Sequence, residues 1–128
     1  MGFLQPDDLA DLYANADMCV LPSTTETCGL VALEAMASGV PVVAANAGGF
    51  RESVRDRENG LLVDPHNPQD FAAAIVELAT EAGLRHALGA SARATAKGRD
   101  VRGENAVLLR QYLTVAGLSV GEAAWSVA

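Results

Sequence analysis

Two glutamates eight residues apart, Glu26 and Glu34, frame the stretch ETCGLVALE. Glu26 follows three hydroxyl residues, Ser23, Thr24 and Thr25, whereas Glu34 stands among small and aliphatic side chains in LVALEAMA. The amides around Thr27 to Leu30 begin a helix, where unpaired N–H groups and the helix dipole favour an anion. Glu34 lies five residues beyond Gly29, about 7.5 Å along the helix axis, on the face shared by Leu30 and Ser38. A carboxylate in that apolar run is costly to bury unless it accepts hydrogen bonds. A diol such as a ribose carries two hydroxyl donors suited to one carboxylate. The pattern therefore fits a phosphate at the helix start and hydroxyl-bearing groups at the two acids.

Other chemistries find less support. Ser23, Thr24 and Thr25 have no base nearby in sequence to activate them. Cys19 and Cys28 are nine residues apart, without a C-x-x-C or a His pair, which argues against zinc or redox work. Cys19, in MCVL, reads as a buried small hydrophobe, and His66 and His86 read as structural. Each part of the acid pattern also has a plain structural reading. Glu34 suits the solvent edge of a helix, Glu26 suits a cap on the helix dipole, and the glycines suit turns.

The elements that must position these groups alternate between helix and buried strand. QPDDLADLYANA reads as a helix with Pro6 near its start, two early aspartates, and Leu9, Leu12 and Tyr13 on one face. MCVL, ending at Pro22, reads as a strand buried on both faces. The polar loop STTETC leads into the helix GLVALEAMAS, closed by Gly39. VPVVAA is a second buried strand, NAGG a glycine loop, FRESVRD a short helix, ENG a turn, and LLV a third strand stopped at Asp64-Pro65. Asn67 and Pro68 then open a helix whose buried face is Phe71, Ala74, Ile75 and Leu78. A further helix runs from about Leu84 to Lys97, ending at Gly98, and another from about Val101 to Ala116. The alternation predicts an α/β fold: a partial doubly wound parallel, Rossmann-like sheet of about three strands, with flanking helices and a helical C-terminal part. Residues 1–117 are expected to form the domain, and 118–128 a tail, frayed or packed by Trp125.

Composition narrows the partners. The 128 residues suit one domain, half of them hydrophobic but only 5% aromatic, so the core must be built from Ala, Val and Leu. A net charge of −7, with Lys97 the single lysine and the arginines scattered, argues against nucleic acid. No apolar run approaches the roughly 20 residues of a membrane-spanning helix, and no basic leader marks secretion. The expected setting is the reducing cytoplasm.

Taken together, four ordered blocks carry a resemblance. They are E-x7-E (Glu26, Glu34), the block from Glu34 to Val43, the loop Gly48-Gly49-x-x-Glu52, and NGLLV-x-P from Asn59 to Pro65. Across about residues 3–95 the chain resembles the retaining, nucleotide-sugar-dependent glycosyltransferases of group 1, which have the two-Rossmann-domain GT-B fold. The resemblance implies the C-terminal, donor-binding Rossmann domain. Glu34 would accept the ribose hydroxyls, and Glu26 would meet the donor-sugar hydroxyls. The amides of Cys28, Gly29 and Leu30 would hold the diphosphate, while Gly48, Gly49 and Glu52 would shape the cleft wall. No metal or cofactor is implied; the partner is a nucleotide-diphosphate sugar.

Two departures qualify this likeness. Thr27-Cys28 replaces the Gly-aromatic pair usual before Gly29, which reduces backbone freedom and leaves space beside the phosphates. The family's N-terminal acceptor domain and its early Arg/Lys pair are not in this sequence, so a fragment of a longer enzyme, inactive alone, is expected. An alternative is a noncatalytic remnant acting as a dimerising or partner-binding module. A dehydrogenase is disfavoured because no G-x-G-x-x-G follows a strand. The small sheet leaves edges open, so a homodimer is expected.

Overall fold

A computed structural model describes residues 5–99. The chain runs α1 (Pro6–Ala14), β1 (Cys19–Leu21), α2 (Leu30–Ala37), β2 (Val42–Ala45), α3 (Phe50–Ser53), β3 (Leu61–Val63), α4 (Pro68–Thr80) and α5 (Ala82–Gly98). The three strands form one parallel sheet in the order β1-β2-β3. Val20 stands opposite Val43, and Ala44 opposite Leu62, so β2 is the central strand. The expected α/β fold with a parallel sheet is therefore what the chain adopts. The helix expected from Val101 to Ala116 and the tail with Trp125 lie outside the described residues.

Sequence signals account for the element ends. Pro68 opens α4, where its missing N–H costs nothing, and the Asn67 side chain accepts from the Gln69 N–H at 3.2 Å. Gly39 closes α2 in the left-handed region at φ 76°, with its N–H on the Met36 carbonyl at 2.9 Å. Gly89 lets α5 approach that turn: a Cβ at Gly89 would run into the Gly39 carbonyl oxygen. With α5 packed there, α2 buries Ala32, Leu33, Ala35 and Met36. Val43, Leu61 and Val63 pack with Ala74 and Leu78 of α4 and Leu88 of α5. Phe71 joins that cluster, as the spacing of the α4 apolar residues predicts.

Two expectations about burial need correction. β2 is buried throughout, but Cys19, Val20 and Leu21 of β1 are each only half-buried. Among the described residues β1 has β2 as its sole strand neighbour. An edge strand with one covered flank cannot bury both faces as completely as the central strand. Leu12 likewise does not join Leu9 and Tyr13 in half-burial: it is 44% exposed, because α1 turns that position outward.

Candidate functional site

All three strands point their carboxyl ends at one edge of the sheet, the usual place for ligands in open parallel sheets. The loop after β1 carries Ser23 to Gly29, and the loop after β2 carries Asn46 to Gly49. Pro22 cannot extend the ladder of β1 because it has no N–H. Ser23 then turns the chain, accepting from the Thr25 N–H at 3.3 Å.

The two loops interlock through glycine. The Gly49 N–H donates to the Glu26 carbonyl at 2.8 Å. A Cβ at Gly49 would stand 2.6 Å from the Thr27 oxygen, and one at Gly29 would stand 2.8 Å from the Gly49 oxygen. A Cβ at Gly48 would collide with the Glu26 carbonyl oxygen. Gly29 (φ 64°) and Gly48 (φ 53°) also occupy the left-handed region that side chains rarely adopt. Gly29, Gly48 and Gly49 belong to two separate sequence motifs, and the fold brings them into one backbone crossing.

Glu26 sits at that crossing, half-buried. Its Oε1 accepts from the Cys28 N–H at 3.4 Å and from the Gly29 N–H at 3.2 Å. The carboxylate therefore lies just ahead of α2, on amides that precede its first residue, where an anion faces the positive end of the helix dipole. Of the three amides predicted to meet an external phosphate, those of Cys28 and Gly29 already hold an anionic oxygen. Leu30 begins the helix proper, with its side chain 39% exposed. Cys28 is exposed, and the Thr27 hydroxyl lies 3.7 Å from its sulfur.

Glu34 lies on the exposed face of α2 with Leu30, Val31 and Ala37. The acid set among aliphatic residues is thus not buried, and its neighbours in sequence face the other way, toward α5. Tyr13 of α1 stands near it. Burial raises the Tyr13 phenol above its ordinary pKa, with smaller contributions from the charges of Cys19 and Glu34. Sequence reading placed Tyr13 only on a packing face; its nearness to Glu34 depends on how α1 docks. Glu52, on α3, is exposed, and its N–H donates to the Gly49 carbonyl at 3.2 Å.

A cavity of about 480 Å³ opens beside the crossing, lined by Thr24, Asn46, Ala47, Arg51, Asp64 and His66, with Pro65 at its rim. Arg51 is tethered there: its Nε donates to the Asn46 oxygens, O at 3.1 Å and Oδ1 at 2.9 Å, and its Nη2 to the same O at 2.7 Å. Arg51, Asn46 and His66 belong to none of the site motifs visible in the sequence. The signal available was position alone, since Asn46 and His66 follow the ends of β2 and β3. Among the described residues no group of three or more His, Cys, Asp or Glu side chains could hold a metal, and no helix is long and apolar enough to cross a membrane.

Comparison with known proteins agrees with this geometry. A curated D-inositol 3-phosphate glycosyltransferase from Rhodococcus jostii (strain RHA1) is 49% identical over 87 residues, covering 68% of this chain and 19% of that protein. The chain thus spans about a fifth of the length of the curated relative it matches. The structure of Anabaena Alr3699/HepE in complex with UDP-glucose superposes with a TM-score of 0.78 at 34% identity, over 89% of this chain and 31% of that one. The C-terminal domain of a glycosyl transferase group 1 family protein, LpcC from Francisella tularensis, superposes with a TM-score of 0.71 at 33% identity, over 77% of this chain and 51% of that one. The family model described as glycosyl transferases group 1 matches residues 1–95, and the chain belongs to that family.

Proposed function

We propose that the chain is the donor-binding part of a retaining glycosyltransferase and takes a nucleotide-diphosphate sugar. The observation that carries this reading is the glycine crossing at the carboxyl edge of the sheet. It presents the Cys28 and Gly29 amides at a helix start, already holding a carboxylate oxygen. A diphosphate is the ligand whose charge suits those donors. Exposed Glu34, little more than one helical turn along α2, would accept ribose hydroxyls, and Glu26 would meet the sugar. Gly48, Gly49 and Glu52 form the wall opposite. In the transfer, the bond from the sugar's anomeric carbon to the diphosphate oxygen breaks, with the electron pair leaving on the diphosphate. A bond from the acceptor oxygen to that carbon forms on the same face, and the acceptor's hydroxyl proton passes to the departing diphosphate oxygen. The amides of Cys28, Gly29 and Leu30 would stabilise the charge that develops on the leaving group. The UDP-glucose in the Anabaena neighbour supports a nucleotide sugar as donor. Neither a metal nor a further cofactor is needed in this scheme. The acceptor would be bound by a separate N-terminal domain, as the family resemblance implies, and the setting would be the cytoplasm.

Titration of the 128-residue chain with UDP, followed by amide NMR, tests the reading. Shifts are expected at Cys28 to Leu30 and around Glu34, with weak binding, of millimolar order, from a site with few basic groups. Glu34→Ala should weaken UDP about tenfold, the scale of hydrogen bonds to a charged group. It should leave the fold intact, because the side chain is exposed. Shifts confined to the arginine-bearing face of α5 would refute the assignment.

A further inference from the structure

Glu26 performs two jobs that pull in different directions. Its main-chain oxygen is pinned by the Gly49 N–H at 2.8 Å, and it packs against Gly48 where any side chain would collide with it. Its side chain is held only by the Cys28 and Gly29 amides, at 3.4 and 3.2 Å. No cation pairs with it among the described residues. The backbone is fixed and the carboxylate can rotate away. A phosphate oxygen seeking the same two amides must therefore displace the carboxylate, since two anions cannot share two donors without strong repulsion.

We infer that Glu26 competes internally for the phosphate amides and so makes the site select a sugar-bearing nucleotide over the bare nucleoside diphosphate. This rests on the nucleotide-sugar reading given under Proposed function. Once displaced, the carboxylate stays beside the ligand because its backbone cannot retreat. A donor with its sugar attached brings hydroxyls that donate to the carboxylate and replace both lost hydrogen bonds. A bare diphosphate brings a terminal phosphate of higher negative charge and no hydroxyl, leaving the acid unpaired against like charge. The bare nucleotide is also the reaction's product, so the same contact speeds its release. Thr27 and Cys28 keep the loop short-sided, with no basic residue between the acid and the amides it caps.

Calorimetric titration of the whole chain with UDP and with UDP-glucose, for the native protein, Glu26→Gln and Glu26→Ala, tests the inference. Gln keeps the shape and removes the charge; Ala removes the competitor. Both variants should bind UDP about tenfold more tightly than the native chain, the scale of one or two charge-assisted hydrogen bonds. UDP-glucose should bind no more tightly than before, so the preference for the sugar-bearing ligand shrinks or reverses. Unchanged or weaker UDP binding in both variants would show that the carboxylate does not compete. Equal tightening of both ligands would show a simple plug with no selectivity. Failure of every form of the chain to bind either ligand would overturn the nucleotide-sugar reading itself, and this inference with it.

Discussion

Gly49→Ala isolates the backbone crossing from every other property of the site. Gly49 has φ −65° and ψ −15°, a conformation alanine adopts without strain, so any effect must come from the added methyl group. That methyl would stand 2.6 Å from the Thr27 oxygen and 2.8 Å from the Gly29 nitrogen, both backbone atoms. Reaching ordinary contact at 3.4 Å requires the loops to separate by about 0.8 Å. The Gly49 N–H to Glu26 O distance of 2.8 Å would then stretch beyond hydrogen-bonding range. Overpacking costs about 1–3 kcal/mol and the lost bond about 0.5–1.5 kcal/mol. The lower entropy of the unfolded alanine chain returns about 0.4–1 kcal/mol. The net loss is about 0.5–4 kcal/mol, centred on ~2 kcal/mol, which for a domain of this size lowers the melting midpoint on the order of 10 °C. Thermal unfolding followed by circular dichroism reads this directly, and hydrogen exchange should show the Gly49 amide losing protection. A variant with native melting and a protected Gly49 amide would refute the idea that the crossing is a close-packed backbone contact.

Three further outcomes are expected. Asn59→Ala removes a buried side chain that accepts from the Arg55 N–H at 2.7 Å and donates to the Ser53 carbonyl and the Thr95 hydroxyl, each at 3.1 Å. Orphaning these groups should destabilise the chain by about 2–3 kcal/mol in urea unfolding, whereas Thr95→Ala should cost under half of that; equal losses would mean Asn59 acts only by filling space. Burial raises the Cys19 thiol above its ordinary pKa, which lowers its reactive thiolate fraction at neutral pH, so iodoacetamide should modify exposed Cys28 first. Labelling of Cys19 should climb as pH rises and match Cys28 only after unfolding; equal rates in the native chain at neutral pH would contradict the placement of β1. Finally, β1 has one paired edge among the described residues, and its open edge should pair with a second copy. Light scattering should therefore give a homodimer at micromolar concentration, and a stable folded monomer would exclude it.

Much of the fold was legible because its signals are local. Asn67-Pro68, Gly39 and the apolar spacing of Phe71, Ala74 and Leu78 each act within a few residues, and α4 and the end of α2 lie where they predict. The strands were found as short apolar runs, but their relative burial was not. Val43 and Val20 look alike in sequence; one is fully buried and the other half-buried because, among the described residues, only β2 has strand neighbours on both sides. The candidate site divides in the same way. Glu26, Gly29, Gly48 and Gly49 stand out by type and spacing, whereas Arg51 and Tyr13 carry no local mark of their positions beside Asn46 and Glu34.

The sequence by itself determined the helix and strand order, the glycines at the two loops, the acid pair and the family likeness. These depend on residue type, period and short spacing, which the chain displays without folding. Only the tertiary structure decided which face of α2 looks outward. That choice follows from α5 packing over Gly39, and it leaves Glu34 in solvent although every neighbour in sequence is small or aliphatic. The tertiary structure likewise decided that the Glu26 carboxylate occupies the Cys28 and Gly29 amides. The capping contact spans two and three residues, but the loop is held in that shape by Gly48 and Gly49, more than twenty positions away. A contact between distant backbone segments leaves no periodicity to read, because its energy is set by the close approach of two loops and not by the preferences of either one alone.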